Sequence, residues 1–336
     1  MSKAEKFLHL IQKNPEKFET SLRKFFKARG LEIEEITPLK NKIVTKNQRK
    51  LTVFLKLKNC SVKKIILELH DNQDYFKRNL FGLTKLRKIV NVPFFFDKIS
   101  SYAIIREYLE GKWLFELITK KQIPLQKILK NIIKISKITA VIHSIRIDSL
   151  PKFLFRRINK EIEIESYRRA LKKFPPKSKI LENKIKSNLN KLLRSTEKLE
   201  KTPHISLIHG DFQVANFILN KNIIKLTDFD TLEVGNPAKD LGNFCSHLCY
   251  LMAEHFYSSK AIKTARDLFL KTYFKKRGLD LNSGFQTEIN FYEAEKHHSI
   301  IAAKLGGRMH LSLSAAREEI KKIEKILITQ EKLLNI

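Results

Sequence analysis

The stretch "IHGDFQVANFILNKNIIKLTDFD", Ile208 to Asp230, decides how the rest of the chain is read. "SLI", "FILN" and "IIKLT" read as short strands, and "NKN" at 220–222 is tight enough to join the last two as a hairpin. Asp211 and Asp228 therefore fall on loops at strand ends, with Asn216 five residues after Asp211. Two carboxylates and an amide oxygen suit a hard divalent cation. Mg²⁺ takes one or two carboxylates and completes its shell from substrate phosphates. A carboxylate that the metal does not consume is the natural base for an attacking hydroxyl, and Asp211 fits that role.

Towards the amino terminus, residues 4–28 carry apolar side chains at loose helical spacing, with Gly30 as a stop. "LEIEEITPL", "KLTVFLKLKN" and "VKKIILELH" alternate as strands, the last two joined around Asn59, Cys60 and Ser61. From Asp71 the period changes, and Phe76, Leu80, Leu83 and Leu86 predict a helix beside this small antiparallel sheet. "VNVPFFFDKISSYAIIREYLEG" adds two short strands before Gly111. Beyond it the pattern is mostly helical, most clearly from Leu125 to Ile142. Pro175 and Pro176 split a basic stretch into helices at about 155–173 and 178–201, and helices return from 238 to the end. The organisation expected is an amino-terminal helical extension over 1–30, a sheet-rich lobe over 31–106 and a larger, mainly helical lobe over 107–336.

Composition narrows the function classes. The 336 residues are 43% hydrophobic, enough for a sizeable core. No signal-peptide core or membrane span is evident, and three cysteines (Cys60, Cys245, Cys249) make neither a disulfide framework nor a four-ligand zinc site, so a cytoplasmic protein is expected. The net charge of +31 suggests polyphosphate partners. It is spread along the chain, however, with 50 Lys against 16 Arg. That points to compositional drift rather than a built nucleic-acid surface. An acidic small substrate or a nucleotide would still be attracted. Cys245 and Cys249, with His247 between them, read as core positions of an apolar helix, and His297 and His298 as surface residues. The sequence carries no signal of oligomeric state.

The Asp211 to Asn216 spacing, followed by an Asp-Phe-Asp turn at 228–230, follows protein-kinase logic: a catalytic-loop Asp, an Asn five residues later on Mg²⁺, and a second Asp on Mg²⁺. "HGDFQVAN", "LTDFD" and "EVGNPAKDLGNF" together closely resemble the aminoglycoside phosphotransferase and choline kinase-like family. "YAIIREYLEG" resembles that family's hinge, and "ITAVIHSI" its helix ending in His. The resemblance covers roughly residues 31–310. It implies an α+β, bilobal protein kinase-like fold and an ATP- and Mg²⁺-dependent phosphotransferase acting on a hydroxyl of a small molecule. It further implies Asp211 as the base, Asn216 and Asp228 as Mg²⁺ ligands, His209 as orderer of the loop and Asp240 as the buried Asp that ties it down. Glu107 and Leu109 would offer backbone groups to an adenine.

The amino-terminal half departs from the family. No glycine occurs between Leu31 and Phe81, so a phosphate loop near "PLKNKIVTKNQRK" would work without glycine flexibility. Glu68 stands where the strand Lys is expected and Asn79 where its helix Glu is expected. Lys64, on the same strand face as Glu68, is the first candidate for the phosphate contact, and Lys56 on the neighbouring strand the second. The competing class is a catalytically impaired kinase-like protein that binds nucleotide or serves as a scaffold.

Overall fold

The computed structural model describes residues 14–38, 50–58, 64–70, 72–100, 102–155, 183, 187, 204–280 and 283–305. The start of the amino-terminal helix, the phosphate-loop stretch 39–49, the turn at Asn59 to Ser61, nearly all of the basic stretch with Pro175 and Pro176, and the chain past 305 lie outside the described residues. The backbone divides into two units, Met1–Lys112 with Ile218–Leu232, and Trp113–Phe217 with Glu233–Ile336.

The first unit is built on a five-stranded sheet of order β1-β2-β3-β5-β4: β1 (Glu32–Pro38), β2 (Lys50–Lys58), β3 (Lys64–His70), β4 (Phe95–Ser100) and β5 (Ala103–Glu107). All its neighbours are antiparallel. Alternation sorts the side chains. Val53, Leu55 and Leu57 of β2 and Ile65, Leu67 and Leu69 of β3 form one buried face. Helix α1 (Pro15–Lys27) covers that face with Leu22 and Phe26. Pro15 at its first position and basic Lys24 and Lys27 in its last turn suit its two ends. Each fully buried Leu or Ile contributes roughly 1.5–3 kcal/mol.

The opposite face of β3 presents Ile66, Glu68 and His70 towards α2 (Gln73–Lys85). Asn72 caps α2 by accepting a hydrogen bond from the Asp74 N–H at 2.7 Å. The turn Phe229–Thr231 packs on the same helix. Only glycine allows that approach, because a Cβ at Gly82 would lie 2.2 Å from Phe229 Cγ. The hairpin precedes this turn as β7 (Phe217–Asn220) and β8 (Ile223–Leu226), with Lys221 at positive φ in its connection.

The second unit is mainly helical. It comprises α3 (Leu114–Thr119), α4 (Leu125–His143), α5 (Pro237–Glu254), α6 (Ser259–Arg277) and α7 (Ser283–Leu305), with the short pair β6 (Ser206–Ile208) and β9 (Glu233–Gly235). The apolar stripe expected along α4 is its buried face, Ile128, Ile132, Ile135 and Ile142, and it packs on α6. α5 begins with Asn236 as cap and Pro237 at its first position. α7 lies against α5 so closely that a Cβ at Gly242 would meet Tyr292 Cβ at 2.6 Å and the Glu293 N at 2.7 Å. Among the described residues no helix is long and apolar enough to cross a membrane. The surface position expected for His297 is wrong: it is buried, because α7 packs along α5.

Candidate active site

The His-Gly-Asp turn follows β6, and Asp240 holds its shape. Asp240 Oδ2 accepts from the His209 N–H at 2.7 Å and Oδ1 from the Gly210 N–H at 2.9 Å. Asp240 is buried, so these backbone donors offset a desolvation that an isolated carboxylate would not tolerate. His143, the last residue of α4, adds its Nε2 at 3.1 Å while its Nδ1 lies 2.9 Å from the Tyr273 hydroxyl. Gly210 adopts φ 82°, and its carbonyl accepts from Asn243 Nδ2 at 3.3 Å. The His209 ring is buried edge-on to Phe212, which opens the aromatic chain Phe212, Phe217, Phe244 and Phe269. His209 and Asp240 thus come together as the sequence implied; Asn243 and Tyr273 carried no local signal.

The turn presents Asp211. Its Oδ2 accepts from Gln213 Nε2 at 2.8 Å, and its Oδ1 lies 3.0 Å from Lys296 Nζ of α7. Burial pushes the Asp211 carboxyl up, but the charge and hydrogen bond of Lys296 outweigh it and hold the carboxyl below its ordinary value. Asn216 donates from Nδ2 to the Asp211 carbonyl at 2.7 Å, so its Oδ1 is the end suited to a cation. Asp211 and Asn216 are therefore brought together within the second unit. Lys296, 85 residues from Asp211 in sequence, was not foreseen.

Asp228 belongs to the first unit, at the end of the hairpin. It is a non-glycine residue in the left-handed region, φ 69° and ψ 63°, a conformation of the kind concentrated at functional sites. The next two side chains anchor it: Phe229 is fully buried against α2, and Asp230 Oδ1 lies 3.7 Å from His70 Nδ1.

Where the family carries its strand Lys and helix Glu, the polarity is reversed. Glu68 of β3 accepts from Asn79 Nδ2 of α2 at 2.8 Å and from Arg106 Nη2 of β5 at 2.7 Å. Arg106 also donates to the Glu107 carbonyl at 3.1 Å. The Glu107 N–H goes to the Phe94 carbonyl at 2.8 Å, and its carboxylate takes Lys225 Nζ at 2.9 Å. Leu109 is buried, and its backbone N–H and C=O make no hydrogen bond among the described residues. Lys64 stands at the start of β3, 3.2 Å from Glu110, where both border an open cleft of about 980 Å³ with Arg87, Phe94 and Lys225. Lys56 pairs with Glu34 at 2.7 Å.

Of the α5 cysteines, Cys245 is buried and Cys249 partly so. Burial pushes the Cys245 thiol well up and the Cys249 thiol up to about 12, so neither offers a thiolate to a metal. By contrast Asn216 and Asp228 are hard oxygen donors, fitting Mg²⁺.

Residues 44–263 match the phosphotransferase enzyme family, APH. The chain belongs to that family. No curated protein sequence matches it. Among solved structures it is similar to amicoumacin kinase hAmiN in complex with AMP-PNP, Ca²⁺ and Ami, with TM-score 0.61 and 13% identity over 88% of each chain. Choline kinase from Cryptosporidium parvum Iowa II gives 0.52 and 13%, covering 91% of this chain and 90% of that one. An ethanolamine kinase from Plasmodium vivax gives 0.54 and 15%, covering 100% and 95%. At these identities the likeness is one of fold, the protein kinase-like α+β fold with a small antiparallel sheet and a larger helical part.

Proposed function

We propose that this phosphotransferase moves the γ-phosphoryl group of ATP to a hydroxyl of a small molecule, with Mg²⁺. The observation that carries this reading is the Asp211 loop. Asp240 and Asn216 fix its backbone, while the Asp211 carboxylate is left partly exposed beside a cation. Asp211 accepts the proton of the acceptor hydroxyl as that oxygen bonds to the γ-phosphorus, and the bond to the bridging oxygen breaks to release ADP. Asn216 and Asp228 would hold Mg²⁺, which when bound neutralises phosphate charge. Leu109 and the Glu107 carbonyl are assigned to the adenine. Arg106, already on the face of Glu68, is assigned to the phosphates, with Lys64 second because it stands at the start of β3, four residues from Glu68.

Glu68 in place of a lysine favours a second reading, a protein that binds nucleotide without turnover. One experiment separates the two. Mg-ATP at 100 times its dissociation constant should stabilise the protein by about 2.7 kcal/mol. Asp211→Asn should then lower phosphoryl transfer to pooled hydroxylated metabolites by about 10²- to 10⁴-fold with that stabilisation intact. Stabilisation without transfer by the wild type selects the second reading, and no thermal shift at millimolar Mg-ATP defeats both.

A further inference from the structure

Lys296 has no counterpart in the protein-kinase logic that explains the rest of the Asp211 loop. It reaches Asp211 from α7, and only 13% of its side chain is exposed against 36% for Asp211. The close crossing of α5 and α7 at Gly242 sets the position of its backbone, since Tyr292 and Glu293 lie only three to four residues away. Two carboxylates of α7 are committed elsewhere: Glu293 to Arg266 at 2.7 and 2.8 Å, and Glu288 to Asn236 at 2.9 Å. His247 of α5 lies close enough to feel both Lys296 and Asp211, and its Nδ1 is buried without a hydrogen-bond partner among the described residues. The group beside the base is thus a cation accompanied by a neutral imidazole.

Resting on the reading above, we propose that the acceptor carries an anionic group, a carboxylate or a phosphate, close to the hydroxyl that is phosphorylated, and that Lys296 receives it. A cationic acceptor placed at Asp211 is repelled at short range by the Lys296 ammonium 3.0 Å from that carboxylate. An anionic acceptor is attracted both by that ammonium and by the +31 of the whole chain. Engagement of the substrate anion also draws Lys296 off Asp211 Oδ1, which releases this oxygen to take the hydroxyl proton. Lys296 is then the residue that recognises the substrate and switches the base on as it does so.

The test measures ADP release by the full chain with Mg-ATP and four acceptor panels: hydroxycarboxylic acids, sugar phosphates, neutral sugars and polyols, and cationic alcohols including choline and aminoglycosides. The expected result is turnover in one of the two anionic panels, which also tells carboxylate from phosphate. Lys296→Met should raise KM for that acceptor on the order of 10- to 100-fold, as for loss of a charge-assisted contact. Lys296→Arg should restore most of it, which a merely structural lysine would not require. Turnover confined to neutral or cationic acceptors, an unchanged KM in Lys296→Met, or Mg-ATP binding with both anionic panels silent would overturn the proposal. Absence of both Mg-ATP binding and transfer would instead sink the phosphotransferase reading on which it rests.

Discussion

Replacing Arg106 with Leu tests the reversed ion pair of the first unit directly. Its guanidinium lies 2.7 Å from a Glu68 carboxylate whose side chain is 3% exposed, while Arg106 itself is 14% exposed. Removing one partner of a buried pair costs about 3–5 kcal/mol, because the remaining charge keeps its desolvation and loses its counter-charge. At roughly 2–4 °C per kcal/mol for a chain of this size, the melting temperature should fall on the order of 10 °C, followed by circular dichroism. The double variant Arg106→Leu with Glu68→Leu removes both charges and, beyond the Arg106 bond to the Glu107 carbonyl that the single variant also loses, forfeits the Asn79 bond, worth about 1.5–3 kcal/mol before the buried carboxylate's desolvation is recovered. It should therefore melt above the single variant, with a coupling of about 2 kcal/mol or more. Lys64→Ala is the internal control. Its partner Glu110 is 67% exposed, so the loss should stay below about 1 kcal/mol. A double variant no more stable than Arg106→Leu would refute the pairing.

Three further outcomes follow from the same geometry. Gly82→Ala, which in an open helix stabilises by about 0.5–1 kcal/mol, should here destabilise by about 1–3 kcal/mol and weaken the Mg-ATP thermal shift, because the new Cβ displaces Phe229 beside Asp228; an unchanged melt would refute the contact. Burial, reinforced by Lys296, lowers His247 to about 3, and burial lowers His297 to about 4 against a hydrogen bond its ring donates to the Ser246 backbone carbonyl, so both are neutral when folded. Unfolded histidines take up protons below about pH 6.5, so stability is full above that pH and falls as pH drops towards the folded values, by up to about 1.4 kcal/mol per pH unit for each. Denaturant titrations between pH 7 and 4.5 should show that slope, and His297→Gln should reduce it by about half; equal slopes would refute the assignment. Asp211, lowered instead, contributes stability that is present above about pH 4 and lost only below it.

The fold was legible where one physical rule governs many consecutive residues. Alternation in "KLTVFLKLK" and "KIILELH" needs only one buried face, and the structure buries Val53, Leu55, Leu57, Ile65, Leu67 and Leu69 together. The stripe of α4 was legible for the same reason. His297 was misread because α7 meets α5 along a broad face, and nothing local in "EAEKHHSI" says which polar residue falls beneath the contact. The Asp211 loop stands apart from both cases. Its hydrogen bonds from Asn216 and to Asp240 follow short motifs whose residue types have few other uses in combination.

What escaped sequence reading has a common geometric form, a partner contributed across the chain at large separation. Searching along β3 for a replacement cation leads to Lys64, four residues from Glu68 and about 13 Å away along a strand. The nearer neighbour lies across the sheet. Ile66 pairs with Arg106 in register, so Arg106 shares the face of Glu68 one diagonal step away, though 38 residues separate them in sequence. Once that register is known, the two departures from the family become one change. A carboxylate on β3 requires donors, so an acidic side chain on α2 would be repelled, whereas Asn79 supplies an N–H and Arg106 the charge. Two complementary departures beside Arg106 at one buried point are hard to reach by separate losses, since each single step leaves a buried charge without its partner. The reversed pair is therefore one coupled change rather than two separate losses, and Lys296 is a second case of the same kind, a largely buried charge held in place by the carboxylate of Asp211 across 85 residues of sequence.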